Sequence, residues 1–287
     1  MSTSVDIAFV HEFNDLVLHL AQQKGSRFRN TVRNKSVTGK STHFERLASG
    51  AMFARTSRHQ DTQLGNLAHT RRRVTMTDYE RGELVDEEDD IRMLIDADNE
   101  YAVALGNAAG RQFDDDIVTA AFGNATAVDA SDSTSTVALP SAQKIAVASA
   151  GLTLAKIVQG SRILNAAEID DADRYLALQS ADLEDVLNNS TITSVDYNTH
   201  RALMDGKVTD FMGFKWIRSE RTGDDGNGDN RVMVWQKNGL GLAIGKDIKT
   251  SFDPRPDKSN STQVLVKMTI GAVRIEDTTV VEIATNN

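Results

Sequence analysis

Lysine and arginine are concentrated in one part of this 287-residue chain, between Lys24 and Arg73. This basic segment holds twelve of the 32 Lys and Arg residues but only two of the 41 Asp and Glu residues. It also lacks the apolar periodicity with which a segment builds a core of its own. Such a segment is either disordered or finds its partner surface on another molecule. Because the rest of the chain is acidic, self-association through opposite charges is favoured, and nucleic-acid binding is the rival interpretation.

The overall composition excludes several classes of protein. The net charge of -9 argues against a general DNA-coating protein, and the absence of cysteine excludes disulfides and thiolate metal sites. The length allows one large or two medium domains. The chain has neither a signal segment nor an apolar run long enough to span a bilayer, so we expect a soluble protein with no membrane partner.

Hydrophobic spacing predicts the elements of the first half of the chain. A short amphipathic helix is predicted over residues 6–22. A long hairpin then runs from Ser26 to Arg73, with a flexible tip near residues 47–67, and a second extended strand follows at Arg72–Thr77. Together these elements predict an extended ribbon that needs a surface to lie on.

The longest helical pattern follows an acidic run at residues 80–90 and begins near Tyr101. Gly123 provides a plausible stop after the last apolar residues of this stripe. Gly106 and Gly110 within the helix favour either close packing against another backbone or a simple bend. We therefore expect one long helix, with both interpretations of its two glycines left open.

The second half of the chain predicts a compact α+β domain. Residues 124–141, rich in Ser, Thr, Ala and Asp, are interpreted as a linker at a domain boundary. The elements predicted beyond it are helices at 153–165, 180–188 and 195–205 and strands at 174–178, 213–218, 231–236, 264–270 and 279–283. We expect the last strands to pair back with the long helix rather than with the middle domain.

Motifs for nucleotide or calcium binding are incomplete. The stretch Gly39-Lys-Ser-Thr42 resembles the end of a phosphate-binding loop, but Asn34 stands where that loop needs glycine. The Asp- and Gly-rich loop at 222–230 imitates a calcium loop, but Asn230 and Gln236 replace its required glycine and acid. A solvated turn explains this loop better.

Catalytic constellations are missing from the sequence as well. The consecutive acids at 86–90 and 114–116 point around a helix and do not converge as a two-metal site requires. The six histidines show no metal-ligand spacing, and no serine elbow accompanies them. We expect no catalytic residue, no cofactor and no metal, and hence a protein that is not an enzyme.

The charged side chains are predicted to meet between subunits. Basic residues near the hairpin tip and on the following strand would pair with acids of the run at 80–90 in a neighbouring copy. The predicted intersubunit residues are Arg46, Arg55, Arg58, Arg71, Arg72, Arg73, Glu83, Asp86 and Glu87.

The order of these elements, with several short stretches, is similar to a known family. The stretches are Thr70-Arg-Arg-Arg-Val-Thr-Met-Thr-Asp-Tyr79, Arg92-Met-Leu-Ile-Asp96 running into Tyr101-Ala-Val-Ala, and Gly241-Leu-Ala-Ile-Gly-Lys-Asp247, followed by Arg255-Pro-Asp-Lys258 and Thr262-Gln-Val. From about residue 26 to residue 284, the chain resembles the major capsid proteins of tailed bacteriophages. These proteins have the Hong Kong ninety-seven type fold.

This resemblance implies a division of the chain into the parts of a capsid subunit. They are an N-terminal helix and arm at 1–25, the N-arm and E-loop at 26–78, a P-domain with its spine helix at 79–141, a central α+β A-domain at 142–245 and P-domain return strands at 246–287. The implied function is self-assembly into hexamers and pentamers that form an icosahedral shell around double-stranded DNA.

The resemblance also implies partners and a location. The short stretch before the E-loop leaves no room for a built-in scaffolding domain, so a separate scaffolding protein is implied, along with a portal protein. Lys40 is the only nearby lysine for covalent chain-linking, which favours non-covalent contacts or a cement protein. The chain would assemble in the bacterial host cytoplasm and end in the virion capsid.

Two alternatives stay open at the level of sequence. One is an encapsulin-like protein compartment of the same fold. The other is a nucleic-acid-binding protein that uses the basic segment 24–73. Particle formation separates the shell proteins from the second alternative, and packaged DNA separates a phage head from a compartment.

Overall fold

The computed structural model describes residues 23–86, 97–129, 131–188, 210–226 and 228–286. The helices predicted at 6–22 and 195–205 lie outside these residues. The chain divides into two compact units. The smaller consists of Met1–Ser26, Asp78–Gln112 and Lys246–Thr269, and the larger of Arg27–Thr77, Phe113–Gly245 and Ile270–Asn287.

The described residues form a mixed α+β structure, as predicted. The helices are α1 (Ala97–Phe122), α2 (Leu154–Ala166) and α3 (Ser180–Asn188). The strands are β1 (Arg33–Ser36), β2 (Ser41–Leu47), β3 (His69–Thr75), β4 (Thr77–Val85), β5 (Ala125–Val128), β6 (Thr134–Val137), β7 (Lys144–Ile145), β8 (Arg174–Leu178), β9 (Asp210–Phe211), β10 (Phe214–Arg218), β11 (Asn230–Gln236), β12 (Leu240–Arg255), β13 (Ser261–Arg274) and β14 (Val280–Thr285). They form three sheets with the orders β1-β12-β13-β4, β7-β14-β11-β8-β10-β9 and β2-β3-β5-β6.

The core of the larger unit lies at the six-stranded sheet. Its members are buried apolar side chains, among them Ile145, Leu164, Leu176, Val234 and Ile283. The side chain of Thr153 accepts a hydrogen bond from Lys156 N and caps the first turn of α2. Strands β8 and β11 are apolar runs, and helices α2 and α3 are amphipathic, which explains why sequence patterns located these elements well.

The final strand does not join the long helix, which corrects the sequence-based expectation. Strand β14 pairs antiparallel with β11, with Val232 opposite Ile283, and parallel with β7. All but one of its residues are buried, as expected for a strand inside a sheet rather than at its edge. Apolar alternation predicts that a strand exists but does not identify the strand beside it.

A polar cluster is buried beside this final strand. Lys156 Nζ donates to the carbonyl oxygens of Val147, Ala150 and Ala284 at 2.7, 2.6 and 2.9 Å. Burial lowers the pKa of Lys156. The cluster ties the start of α2 to the end of β14 through main-chain acceptors.

The predicted hairpin is present as β2 and β3, which pair antiparallel from Ser41 opposite Thr75 to Leu47 opposite His69. The predicted linker at 124–141 is wrong, because β5 and β6 form a second hairpin there and β5 pairs with β3. Ala125 and Val128 of this stretch are buried. Ser and Thr residues suit strands as well as loops, so composition alone misled the prediction.

Helix α1 ends at Phe122, and Gly123 N donates to Thr119 O at 2.8 Å, so the predicted stop is confirmed. The prediction of close packing holds for one of the two glycines. A Cβ on Gly110 would lie 2.5 Å from the carbonyl carbon of Gly25, whereas a Cβ on Gly106 would meet nothing within 4 Å. Only Gly110 therefore has to be glycine for packing.

Candidate intersubunit surface

An ion-pair network anchors the β2–β3 hairpin within the subunit. Arg46 Nη2 lies 2.7 Å from Glu276 Oε1, and Arg72 Nη2 lies 2.5 Å from Asp277 Oδ2. The other oxygen of Asp277 accepts from Arg274 Nε at 2.7 Å. These contacts join the hairpin to the turn that precedes β14, about two hundred residues further along the chain.

Arg72 is the most deeply buried member of this network, with 2% of its surface exposed. It lies opposite Phe44 on the inward face of the hairpin. Burial is the main cause that lowers its pKa, while the charge of Asp277 opposes that effect. Arg72 is therefore used inside the subunit, where its guanidinium holds the hairpin in place.

The neighbours of Arg72 point the other way. Arg71 and Arg73 are exposed, and Arg71 lies opposite Glu45 on the adjacent strand. The alternation follows from the period of two in a strand, which sends successive side chains to opposite faces. The triple arginine motif therefore supplies one buried anchor and two surface charges.

The loop between β2 and β3, residues 48–68, carries large apolar side chains in solvent. Met52 is 97% exposed, Leu64 is 90% exposed and Phe53 is 59% exposed. We call this loop the tip. Solvent contact of such side chains is unfavourable by roughly 25 cal/mol per Å² of apolar surface, so covering them would stabilise the protein.

The basic residues of the tip are exposed too. Arg55 donates through Nε to the carbonyl of Ser57 at 3.0 Å, and Arg58 lies in the same turn. The side chain of Gln60 accepts from Thr56 N at 2.9 Å and closes that turn. The tip thus combines an apolar surface with positive charge.

The acids predicted to face these charges lie in or after β4. Glu83 is 3.5 Å from Arg81, and Asp86 accepts from Ser261 Oγ at 2.6 Å. Glu87 lies outside the described residues. The pairing of any of the nine predicted residues with a second copy stays a prediction.

Sequence reasoning missed two features of this surface. It weighed the tip by charge and overlooked Met52, Phe53 and Leu64, although a Met-Phe pair in a turn-rich stretch was a usable signal. It also missed Glu276 and Asp277 as partners of the hairpin. No local pattern could have found them, because about two hundred residues separate each from its arginine.

Two further observations concern other kinds of site. Within the described ranges, no three His, Asp or Glu side chains come together as a metal site requires. No helix in the part of the chain that the structure describes is long and apolar enough to cross a membrane.

Comparison with known proteins gives a family and a fold. The model of a family described as phage capsid protein matches residues 5–286. The structure is similar to the capsid of cyanophage P-SCSP1u, with a TM-score of 0.75 and 17% identity over 100% of this chain and 96% of that chain. It also matches a structure from Mycobacterium phage Che8, with a TM-score of 0.68 and 16% identity over 96% of this chain and 97% of that one.

A third similar structure is the capsid of cyanophage Pam1, with a TM-score of 0.69 and 14% identity over 100% of this chain and 98% of that chain. At these identities the likeness establishes the fold, which is that of tailed-phage capsids. None of the curated proteins is similar enough to the chain to be a match.

Proposed function

Because this chain belongs to the phage capsid protein family and has the fold of a capsid shell subunit, we propose that its copies assemble into hexamers and pentamers. These capsomers close into an icosahedral head shell around double-stranded DNA. Rings such as hexamers and pentamers arise when one surface of a subunit binds a different surface of the next and the rotation closes.

The exposed apolar tip is the observation that carries this proposal. A soluble monomer has little reason to keep Met52, Phe53 and Leu64 in water, since exposure of apolar surface is unfavourable. A hairpin that carries these side chains at its tip and is anchored along its strands by a buried arginine is suited to reach over a neighbouring subunit. The apolar contact would supply affinity, and the surrounding charges would set its register.

The parts of a capsid subunit map onto the chain as follows. Residues 26–78 contain the N-arm and the E-loop, and α1 is the spine helix of the P-domain. The six-stranded sheet with α2 and α3 is the A-domain, and we include the final strand β14 with it because β14 pairs with β11. The long strands β12 and β13 return to the P-domain.

The surface charges give the contact its direction. Arg71 and Arg73 on β3, together with Arg55 and Arg58 in the tip, are exposed and would face acids on another copy. Glu83, Asp86 and Glu87 are the proposed acidic partners. Arg46 and Arg72 would act indirectly, by holding the hairpin at the angle that delivers these charges.

The subunit has a structural role and no catalytic one, in keeping with a family of shell proteins. A separate scaffolding protein, a portal protein and a cement protein are its proposed partners besides its own copies. Assembly would take place in the cytoplasm of the bacterial host before the shell becomes part of the virion.

Sedimentation of the purified, nuclease-treated protein tests this proposal. We expect closed shells, or rings of five and six subunits, that sediment far ahead of the subunit. A single small species that binds a DNA duplex would instead assign the basic segment to nucleic acid. Shells that carry protein cargo and lack DNA and a portal would indicate a compartment.

A further inference from the structure

Strand β1 carries two exposed cations on one face. Arg33 and Lys35 are two residues apart, which places their Cα atoms about 6.6 Å apart along the strand. The Arg33 guanidinium lies 5.8 Å from the centre of the Phe44 ring, and Lys35 Nζ lies 5.5 Å from the same centre. Lys35 Nζ also donates to His43 O at 2.9 Å. One buried ring and one carbonyl therefore hold both charges in place.

These two charges have no acidic partner among the described residues. Neither Arg33 nor Lys35 forms an ion pair there. The sequence from Lys24 to Phe44 contains six Lys and Arg residues and no Asp or Glu. Two like charges held near each other repel, and an anion placed between them would relieve that repulsion. Side chains already fixed in position lose little entropy when the anion binds.

A matching pair of carboxylates lies on β4, an edge strand of its sheet. Asp78 and Glu80 are exposed and also two residues apart on one face, so they repeat the spacing of Arg33 and Lys35. Thr269 Oγ1 donates to Asp78 Oδ1 at 2.6 Å, and Lys267 Nζ lies 3.5 Å from Glu80 Oε2. Asp78 makes no ion pair with a described residue.

Two other exposed acids are less available. Asp171 pairs with Arg174 at 2.9 Å, and Asp173 pairs with Lys215 at 2.7 Å. Their charges are already largely neutralised at short range. The carboxylates of β4 are the better complement because their spacing matches and they lie on an edge strand. Asp78 has no ion pair with a described residue, and Glu80 meets Lys267 only at 3.5 Å.

We propose that Arg33 and Lys35 form an intersubunit docking site that binds the carboxylates of Asp78 and Glu80 on β4 of a second copy of this chain. This inference rests on the proposed function, since it names one of the contacts from which the shell is built. The site differs from the apolar tip in residues and in chemistry. It is therefore sensitive to salt, whereas the apolar contact is not weakened by screening.

Charge reversal tests the site in the full-length chain. The Arg33→Glu/Lys35→Glu variant and the Asp78→Lys/Glu80→Lys variant should each lower the yield of sedimenting particles about tenfold, because like charges then face each other. The chain that carries all four substitutions should recover most of the yield. The control is Arg162→Glu/Lys258→Glu, which makes the same change in net charge at two exposed cations elsewhere. It should assemble as the wild type does.

Circular dichroism of the unassembled subunits checks that each variant folds. If the Arg33→Glu/Lys35→Glu chain does not fold, Arg33→Gln/Lys35→Gln removes the charges without reversal and should still lower the yield. Wild-type shells together with normal assembly of these variants would overturn this inference alone. Failure of the four-fold variant to recover would overturn the assignment to β4.

Two remaining outcomes are equally decisive. Failure of the wild-type chain to form particles would overturn the proposed function and this inference with it. Variants that assemble normally but lose affinity for a duplex oligonucleotide would show that Arg33 and Lys35 bind DNA phosphate and not a second copy.

Discussion

The guanidinium of Arg72 lies 2.5 Å from the carboxylate of Asp277, although the two residues are 205 positions apart. The same carboxylate accepts from Arg274 Nε at 2.7 Å. One acid therefore serves two buried arginines, one from the hairpin and one from β13. This arrangement links the hairpin strand β3 to β13 through one carboxylate.

Removal of the Asp277 carboxylate should lower the free energy of unfolding. The Asp277→Asn variant leaves two buried guanidinium groups without their charge partner, and loss of one member of a buried pair typically costs about 3–5 kcal/mol. We expect the free energy of unfolding of the unassembled subunit, measured in urea, to fall by an amount of that order.

The matched control is Asp257→Asn, which removes an exposed carboxylate 2.8 Å from Arg255. Exposed pairs contribute little, so its urea midpoint should match that of the wild type. Equal midpoints for the Asp277→Asn and Asp257→Asn variants would contradict the anchoring role of Asp277.

The two glycines of α1 make a second matched pair. Gly110→Ala would push a methyl group against the backbone of Gly25, and overpacking of this kind costs about 1–3 kcal/mol. Gly106→Ala meets open space and should stabilise the helix by about 0.5–1 kcal/mol. Thermal unfolding should therefore move in opposite directions for the two variants. A rise in the melting temperature for Gly110→Ala would refute the close packing.

Asp182 should make the stability of the subunit depend on pH. Burial raises the pKa of Asp182 above its ordinary value of 3.8, although Thr285 Oγ1 donates to it at 2.5 Å. Between pH 3.8 and the raised pKa, the folded protein therefore holds a proton that the unfolded chain has lost. The stabilisation that comes from this proton is complete below pH 3.8 and disappears as the pH rises through the raised pKa.

Urea unfolding from pH 3 to pH 7 tests this assignment. The difference in unfolding free energy between the wild type and Asp182→Asn should shift against the wild type as the pH rises through that window. The amide in the Asp182→Asn variant does not titrate. Any hydrogen bond lost through the substitution therefore changes the difference in unfolding free energy by the same amount at every pH. A difference that stays constant over the whole range would show that Asp182 titrates normally.

The triple arginine motif should separate assembly from folding. Arg71→Glu/Arg73→Glu changes two exposed charges, so the subunit should fold but fail to close shells. Arg72→Glu would place two carboxylates together in a buried site and should prevent folding. Circular dichroism reports folding, and sedimentation reports shells. Normal shells from the Arg71→Glu/Arg73→Glu chain would show that these two charges do not contribute to the interface.

Local patterns predicted much of the fold. Strand β8 has the bounds that its apolar run predicts, and α2 and α3 lie within a residue of the predicted helices because their apolar faces repeat at helical spacing. The predicted linker became the β5–β6 hairpin, and β14 joined the central sheet instead of the long helix. Composition misled the first of these predictions. Strand β5 pairs with β3 and β14 pairs with β11, and no local pattern identifies a partner so far away in the sequence.

The candidate surface was less predictable for the same reason. The sequence identified Arg71, Arg72 and Arg73 as one basic group, but strand alternation buries Arg72 and exposes its neighbours. Asp277 could not be predicted as its partner, since only the tertiary fold brings the two together. The apolar side chains of the tip were visible in the sequence, and their importance became clear only from their exposure.

Electron microscopy with three-dimensional reconstruction of the purified particles tests the central claim most directly. We expect closed shells built from hexamers and pentamers, in which the tip of each subunit covers Met52, Phe53 and Leu64 against a neighbouring subunit. A protein that forms no closed particles, or a shell in which the tip folds back onto its own subunit, would contradict it.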